Sequence, residues 1–104
     1  MSTPSPNPGR RNITAGEFWK QFRSLPEAVQ EAARQGYKLF CENPTHPSLN
    51  AHMLNPSGRG KHVPGTISVR VGKKYRALYY VKDGQNVWYW IGSHSEYNHF
   101  IGDN

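Results

Sequence analysis

With a single cysteine, Cys41, this chain of 104 residues cannot form an internal disulfide, so its fold must rest on a hydrophobic core. No apolar run approaches the about 18 residues that a membrane-crossing helix requires, and the N-terminus lacks the apolar stretch of a signal peptide. These absences predict a soluble protein in a reducing, cytoplasmic setting. Acidic residues are missing from the whole stretch 43–82, which nevertheless carries Arg59, Lys61, Arg70, Lys73, Lys74, Arg76 and Lys82 together with His46, His52 and His62. The acids Glu17, Glu27, Glu31 and Glu42 lie in the first half. With a net charge of +6, one side of the domain is expected to be basic, the footprint of a nucleic-acid binder or of a protein with an acidic partner.

Residues 1–12 hold three prolines, a glycine and no aliphatic side chain beyond Met1. They cannot build a core, so the sequence predicts a flexible proline-rich arm over 1–13 and one domain over 14–104. Thr14 and Glu17, then Ser24 and Glu27, have the spacing of capping boxes at two helix starts, with Pro26 in the first turn of the second. Phe18, Trp19 and Phe22 give the first helix an apolar stripe. Val29, Ala32, Ala33, Gly36, Tyr37 and Phe40 recur at helical spacing up to about Cys41, whose thiol is expected to be buried or half-buried. Pro44 and Pro47 end this helical hairpin.

The strongest strand signal follows at 66–81. Ile67, Val69 and Val71 alternate with polar residues, as do Tyr75, Ala77, Tyr79 and Val81 with Arg76, Leu78 and Tyr80. A three-residue turn at Gly72, Lys73 and Lys74 pairs Val71 with Tyr75 and keeps one face apolar, whereas a two-residue turn would set Val69 against Arg76. The first register places Arg70 opposite Arg76. Like charges there repel, and the pair suits a phosphate or carboxylate held by two guanidinium forks. Residues 49–55 are a weaker strand, the glycine-rich loop after it carries Arg59, Lys61 and His62 and is expected to be mobile, and Asp83-Gly84 marks a turn. In the last strand Val87, Tyr89 and Ile91 alternate with Trp88 and Trp90, and one of these faces must be core; if the first three face the helices, the tryptophans could stack bases on the open face. The predicted fold is α+β, with two N-terminal helices packed on one face of a small antiparallel sheet of three to four strands.

Four blocks, F-W-K-Q-F…L-P-E-A-V-Q, N-P-T-H-P-S-L, S-V-R-V-G-K-K-Y-R-A-L and W-Y-W-I-G-S-H-S-E-Y, occur in that order over 14–101. Together they resemble the RelE/ParE superfamily of bacterial type II toxins. The resemblance implies a RelE-like fold, a cognate antitoxin, and a toxin that inhibits translation as a ribosome-dependent mRNA endonuclease working without metal or other cofactor. It matches Arg76 to the phosphate-holding arginine, with Arg70 across the hairpin, His94 to a C-terminal acid/base position and Tyr97 to a terminal tyrosine. A histidine suits proton transfer because its ordinary pKa is near 6.5. Arg59, Lys61, Lys73, Lys74, His52 and His62 would add RNA contacts. His52 stands where relatives tend to carry a lysine, and the usual first strand before Thr14 is missing or degenerate. The alternative is a non-catalytic ParE-like poison of DNA gyrase, or a relative that binds RNA or antitoxin without cutting. No spacing among His52, His62, His94 and His99 has a zinc signature.

Overall fold

The apolar alternation at 66–81 dictates one register, and the chain adopts it. In the computed structural model, which describes residues 10–54 and 60–102, β3 (Ile67–Val71) and β4 (Tyr75–Lys82) pair antiparallel. Val71 lies opposite Tyr75, Val69 opposite Ala77 and Arg70 opposite Arg76. Gly72 opens the turn at φ +60°, a region that strains any residue with a Cβ. Asp83 and Gly84, both at positive φ, turn β4 into β5 (Gln85–Ser93), the geometry that matches the right-handed twist of the strands.

The sheet has five strands rather than three or four. Its order is β1-β5-β4-β3-β2, with β2 (His52–Met53) on one edge and β1 (Arg11–Thr14) running parallel to β5 on the other. β1 escaped the sequence reading because polar groups hold it. The Asn12 side-chain oxygen accepts from Asn86 Nδ2 at 3.1 Å and Trp88 Nε1 at 3.0 Å, and Arg10 donates to Asn86 Oδ1 at 3.2 Å. The expected arm over 1–13 therefore gives way to a strand by Arg11, and residues 1–9 lie outside the described residues.

Helices α1 (Phe18–Arg23) and α2 (Glu27–Glu42) cover one face of the sheet, as the sequence predicts. Neither starts with the expected capping box. Thr14 is bound into β1, and Ser24 caps the end of α1, donating its hydroxyl to the Gln21 carbonyl, so Glu17 and Pro26 stand at the N-caps without side-chain bonds. Cys41 is exposed, not buried. Between helices and sheet lie Phe22, Phe40, Leu49, Val69, Val71, Ala77, Tyr79, Trp88 and Ile91. At the centre, Phe40 meets Tyr79 edge-on at 5.3 Å and Trp88 at 5.0 Å.

The second face is not open. Tyr79 pairs with Trp88 but Leu78 pairs with Trp90, so Tyr89 is an extra residue, a β-bulge that resets the alternation of β5. Trp88 and Ile91 consequently join the helix-side core, while Trp90 joins Leu54, Leu78 and Tyr97 in a second one. Both tryptophans are buried and neither is placed to stack bases. A third helix, α3 (His94–Phe100), supplies Tyr97 and closes this second layer. It starts with a genuine capping box: Ser93 Oγ accepts from the Glu96 amide at 3.1 Å and Glu96 Oε1 from the Ser93 amide at 2.8 Å. Gly92 makes the close approach possible, since a Cβ there would come within 2.8 Å of the Trp90 ring and 2.9 Å of Glu96 Oε1.

Because Phe40 is 2% exposed and contacts both central aromatics, Phe40→Ala should remove about 3–5 kcal/mol from the unfolding free energy in urea titration, leaving the sheet register unchanged.

Candidate functional site

Where β4 passes beneath α3, Arg76 is almost wholly buried, at 6% exposure, next to the fully buried Leu78 on the same face of the strand. An unpaired charge there is costly, so its donors need partners. Nε donates to Ser68 Oγ at 2.9 Å, and one terminal nitrogen donates to the Asn50 carbonyl at 3.3 Å. The guanidinium carbon stands 5.4 Å from the centre of the Tyr97 ring. Among the described residues no carboxylate pairs with it; Glu31 with Arg34, on the outside of α2, is the ion pair found there. Burial pushes the Arg76 pKa down, the nearby Tyr97 opposes this, and the positive charge of Arg70 adds to the depression. Of the five donor hydrogens of a guanidinium, these two bonds use two. The remainder can meet an anion.

Tyr97 carries the site on to His94. The two rings stack at 5.6 Å with 29° between their planes, so the buried tyrosine touches both the exposed imidazole and the arginine. The His94 amide donates to the Lys74 carbonyl at 2.7 Å, so the β3–β4 turn with its exposed Lys73 and Lys74 abuts the start of α3. Arg70 is exposed and donates its Nε to the Gly72 carbonyl at 3.1 Å. The two arginines share a ladder position but not an environment: one is a fixed, dry cation, the other a solvated one.

His52, on the edge strand, lies opposite Ser68 and so shares its face of the sheet. Its Nδ1 is 3.3 Å from the same Asn50 carbonyl that takes the Arg76 donor. Since a carbonyl can only accept, Nδ1 carries the proton in this contact and Nε2 is left outward. Lys61 is exposed at the far end of α3, where its amide donates to the Phe100 carbonyl at 2.7 Å, and His62 beside it is half-buried. Arg59 lies outside the described residues. His46 accepts the Ser48 amide at 3.1 Å through Nδ1 and caps the short 3₁₀ turn Pro47–Leu49, a structuring part.

Arg70, Arg76, Tyr97, His94 and His52 thus converge on one face, with Lys73 and Lys74 at one end of α3 and Lys61 at the other. Sequence reasoning missed Ser68 and Asn50. Ser68 could have been found, because the hairpin register puts it diagonal to Arg76 on the same face. Asn50 could not, since its contribution is a carbonyl aimed by a left-handed backbone, φ +45°. Among the described residues no three His, Cys, Asp or Glu side chains gather as a metal site, and no helix is long and apolar enough to cross a membrane.

On the opposite side of the sheet an apolar cleft of about 490 Å³ lies between the helices and β1, with the exposed Ile13, Trp19 and Tyr37 among its lining residues.

This architecture recurs in solved toxins. YafQ from E. coli strain BL21(DE3) superposes with a TM-score of 0.66 at 16% identity, covering 85% of this chain and 97% of that one. The RelE–RelB complex of Pyrococcus horikoshii OT3 gives 0.60 at 18% identity, covering 82% of this chain and 94% of that one. The RelBE2 toxin–antitoxin complex of Mycobacterium tuberculosis gives 0.61 at 17%, covering 81% and 96%. No curated protein matches by sequence. Identities this low speak for the fold alone, but the family model for the ParE-like toxin domain matches residues 27–99, most of the chain and nearly all of the sheet and α3. The chain belongs to the ParE-like toxin domain family, within the RelE/ParE toxin superfamily.

Proposed function

We propose that this toxin is a ribosome-dependent mRNA endonuclease and that the face of Arg76 and His94 is its active site. The observation that carries the reading is the buried, carboxylate-free Arg76 with an exposed histidine one ring away. In the reaction, the ribose 2′-oxygen bonds to the adjacent phosphorus as its proton passes to a base. The bond from phosphorus to the 5′-oxygen breaks, and that oxygen takes up a proton. The products are a 2′,3′-cyclic phosphate and a 5′-hydroxyl. The five-coordinate phosphate in between gathers negative charge on its equatorial oxygens. Arg76, already desolvated and fixed by Ser68 and Asn50, offers its remaining donors there without reorganising, which is how preorganised charge lowers a barrier. Arg70 supplies a second, more mobile cation. His94 is the general acid or base, Tyr97 orients it, and the outward Nε2 of His52 is placed to serve as its complement. Lys73, Lys74 and Lys61 bind flanking phosphates.

A cognate antitoxin is the expected partner, since the similar RelBE2 structure from Mycobacterium tuberculosis is a toxin–antitoxin complex. An acidic segment would neutralise the arginine face, and the apolar cleft offers a second surface. The gyrase-poison reading gives no role to a histidine stacked on the tyrosine that covers a buried arginine.

Purified protein added to translating ribosomes should generate new mRNA 5′ ends. His94→Ala and Arg76→Ala should each lower that rate by about 100-fold or more. Inhibited gyrase supercoiling with intact mRNA would instead establish the alternative. Relative to chloride at equal ionic strength, phosphate or sulfate should stabilise the fold by about 2.7 kcal/mol at a hundred times the dissociation constant, read as a raised thermal midpoint. Arg76→Leu should abolish that difference, and persistence of the full shift would place the anion elsewhere. In co-expression, the antitoxin should relieve growth arrest. Trp19→Ala, on the cleft, should weaken the complex measurably by calorimetry if the cleft is used.

A further inference from the structure

The bulge residue Tyr89 has a task beyond packing. Its ring leans on Tyr80 at 5.3 Å and on Phe100 at 6.3 Å, which directs the hydroxyl toward the chain entering β3. There the Val63 amide donates to Tyr89 Oη at 3.0 Å, Tyr89 Oη and Thr66 Oγ1 are 2.7 Å apart, and Thr66 Oγ1 donates to the Val63 carbonyl at 2.6 Å. Proton counting fixes the directions. The single hydroxyl hydrogen of Thr66 goes to a carbonyl, so Tyr89 must donate to Thr66 while accepting from Val63. The result is a closed loop of three hydrogen bonds around Thr66, which is fully buried. The same segment is tied to α3: the Lys61 amide donates to the Phe100 carbonyl, and Gly60 runs so close to the Ile101 backbone that any Cβ would clash with it. The described part of the glycine-rich loop is therefore tied both to Tyr89 and to α3, and Lys61 is presented from a backbone bonded on either side.

We propose that Tyr89 is a positioning residue for RNA binding, whose hydroxyl holds Lys61 at the C-terminal end of α3 as a phosphate anchor remote from the Arg76 site. The proposal rests on the endonuclease reading and extends it. Lys74 adjoins the N-terminal end of α3 and Lys61 the other, so a single strand passing over α3 meets a lysine on each side of the reacting phosphate. Tyr89 touches no RNA; it acts through Lys61.

Tyr89→Phe keeps the ring and removes only the hydroxyl, and Thr66→Val is a second, nearly isosteric way to open the same staple. In the full chain, hydrogen exchange at the Val63 and Lys61 amides should accelerate in both variants while the β3–β4 ladder stays protected. With mRNA on ribosomes, KM should rise several-fold with kcat unchanged. Binding of a short single-stranded RNA should weaken to the level of Lys61→Ala, with the salt slope reduced by about 1. The double variant of Tyr89→Phe and Lys61→Ala should bind no worse than Lys61→Ala alone. The proposal is overturned if exchange accelerates but KM and RNA affinity do not move, if the two substitutions multiply, or if the amides stay protected. Wild-type protein that neither binds nor cuts RNA would instead bring down the endonuclease reading itself, a result distinct from a wild type that cuts and a Tyr89→Phe variant that matches it.

Discussion

The extra residue at Tyr89 is the constraint on which the rest of this structure depends. Without it, β5 would keep strict alternation and present Trp88 and Trp90 to the same side of the sheet. With it, Trp88 enters the helix-side core and Trp90 the α3-side core, so a sheet with a solvent-facing side becomes the middle layer of three. Only then does α3 have an apolar platform, and only with α3 in place does Tyr97 cover Arg76. The site is downstream of a one-residue insertion in a strand.

Arg76 is the energetic counterpart of that arrangement. A buried guanidinium loses hydration worth several kcal/mol, and two hydrogen bonds with a ring face recover part of it. No carboxylate supplies the rest among the described residues. A structure selected for stability alone would place an apolar residue at this position of β4, flanked as it is by Ala77 and Leu78. On the proposed reading, the uncompensated positive charge awaits a negative one, and the binding energy of an anion would supply the missing compensation. Arg70, exposed and bonded to the turn it precedes, carries no such cost and raises the local potential instead.

How much of this the sequence disclosed depended on whether a residue obeyed the period of its element. The hairpin register, including the facing arginines, was legible because only one turn length kept an apolar face. The second helix was legible for the same reason. The bulge was not, since Val87, Trp88, Tyr89, Trp90 and Ile91 are all large and apolar enough that a phase slip leaves no mark. Missing the slip led to the mistaken open face and to tryptophans free for stacking. Capping boxes misled twice and were overlooked once. The patterns at Thr14 and Ser24 fail because β1 and the end of α1 had prior claims on those residues, whereas Ser93 and Glu96 form the one box found among the described residues, in a stretch read as a tail. β1 itself is held by Asn12, Asn86 and Arg10, and polar strands of this kind have no hydrophobic signature.

The two layers divide the labour between stability and chemistry. β4 serves both, sending Ala77 and Tyr79 toward α1 and α2 and Arg76 and Leu78 toward α3, so the arginine is anchored in the most extensively paired strand of the molecule. His94 belongs to a helix of seven residues, held by one capping box, by the packing of Tyr97 and Phe100 against Trp90, and by amide bonds to the Lys74 carbonyl at one end and from Lys61 at the other. Short helices of that size have little stability of their own. Arg76, buried in a central strand, is therefore held more firmly than the exposed His94, an asymmetry that suits the proposed role of gripping a phosphate in one place while protons move on and off the oxygens beside it. Tyr97 touches both groups, so an anion whose binding at Arg76 also engaged α3 would, by linkage, favour the ordered helix.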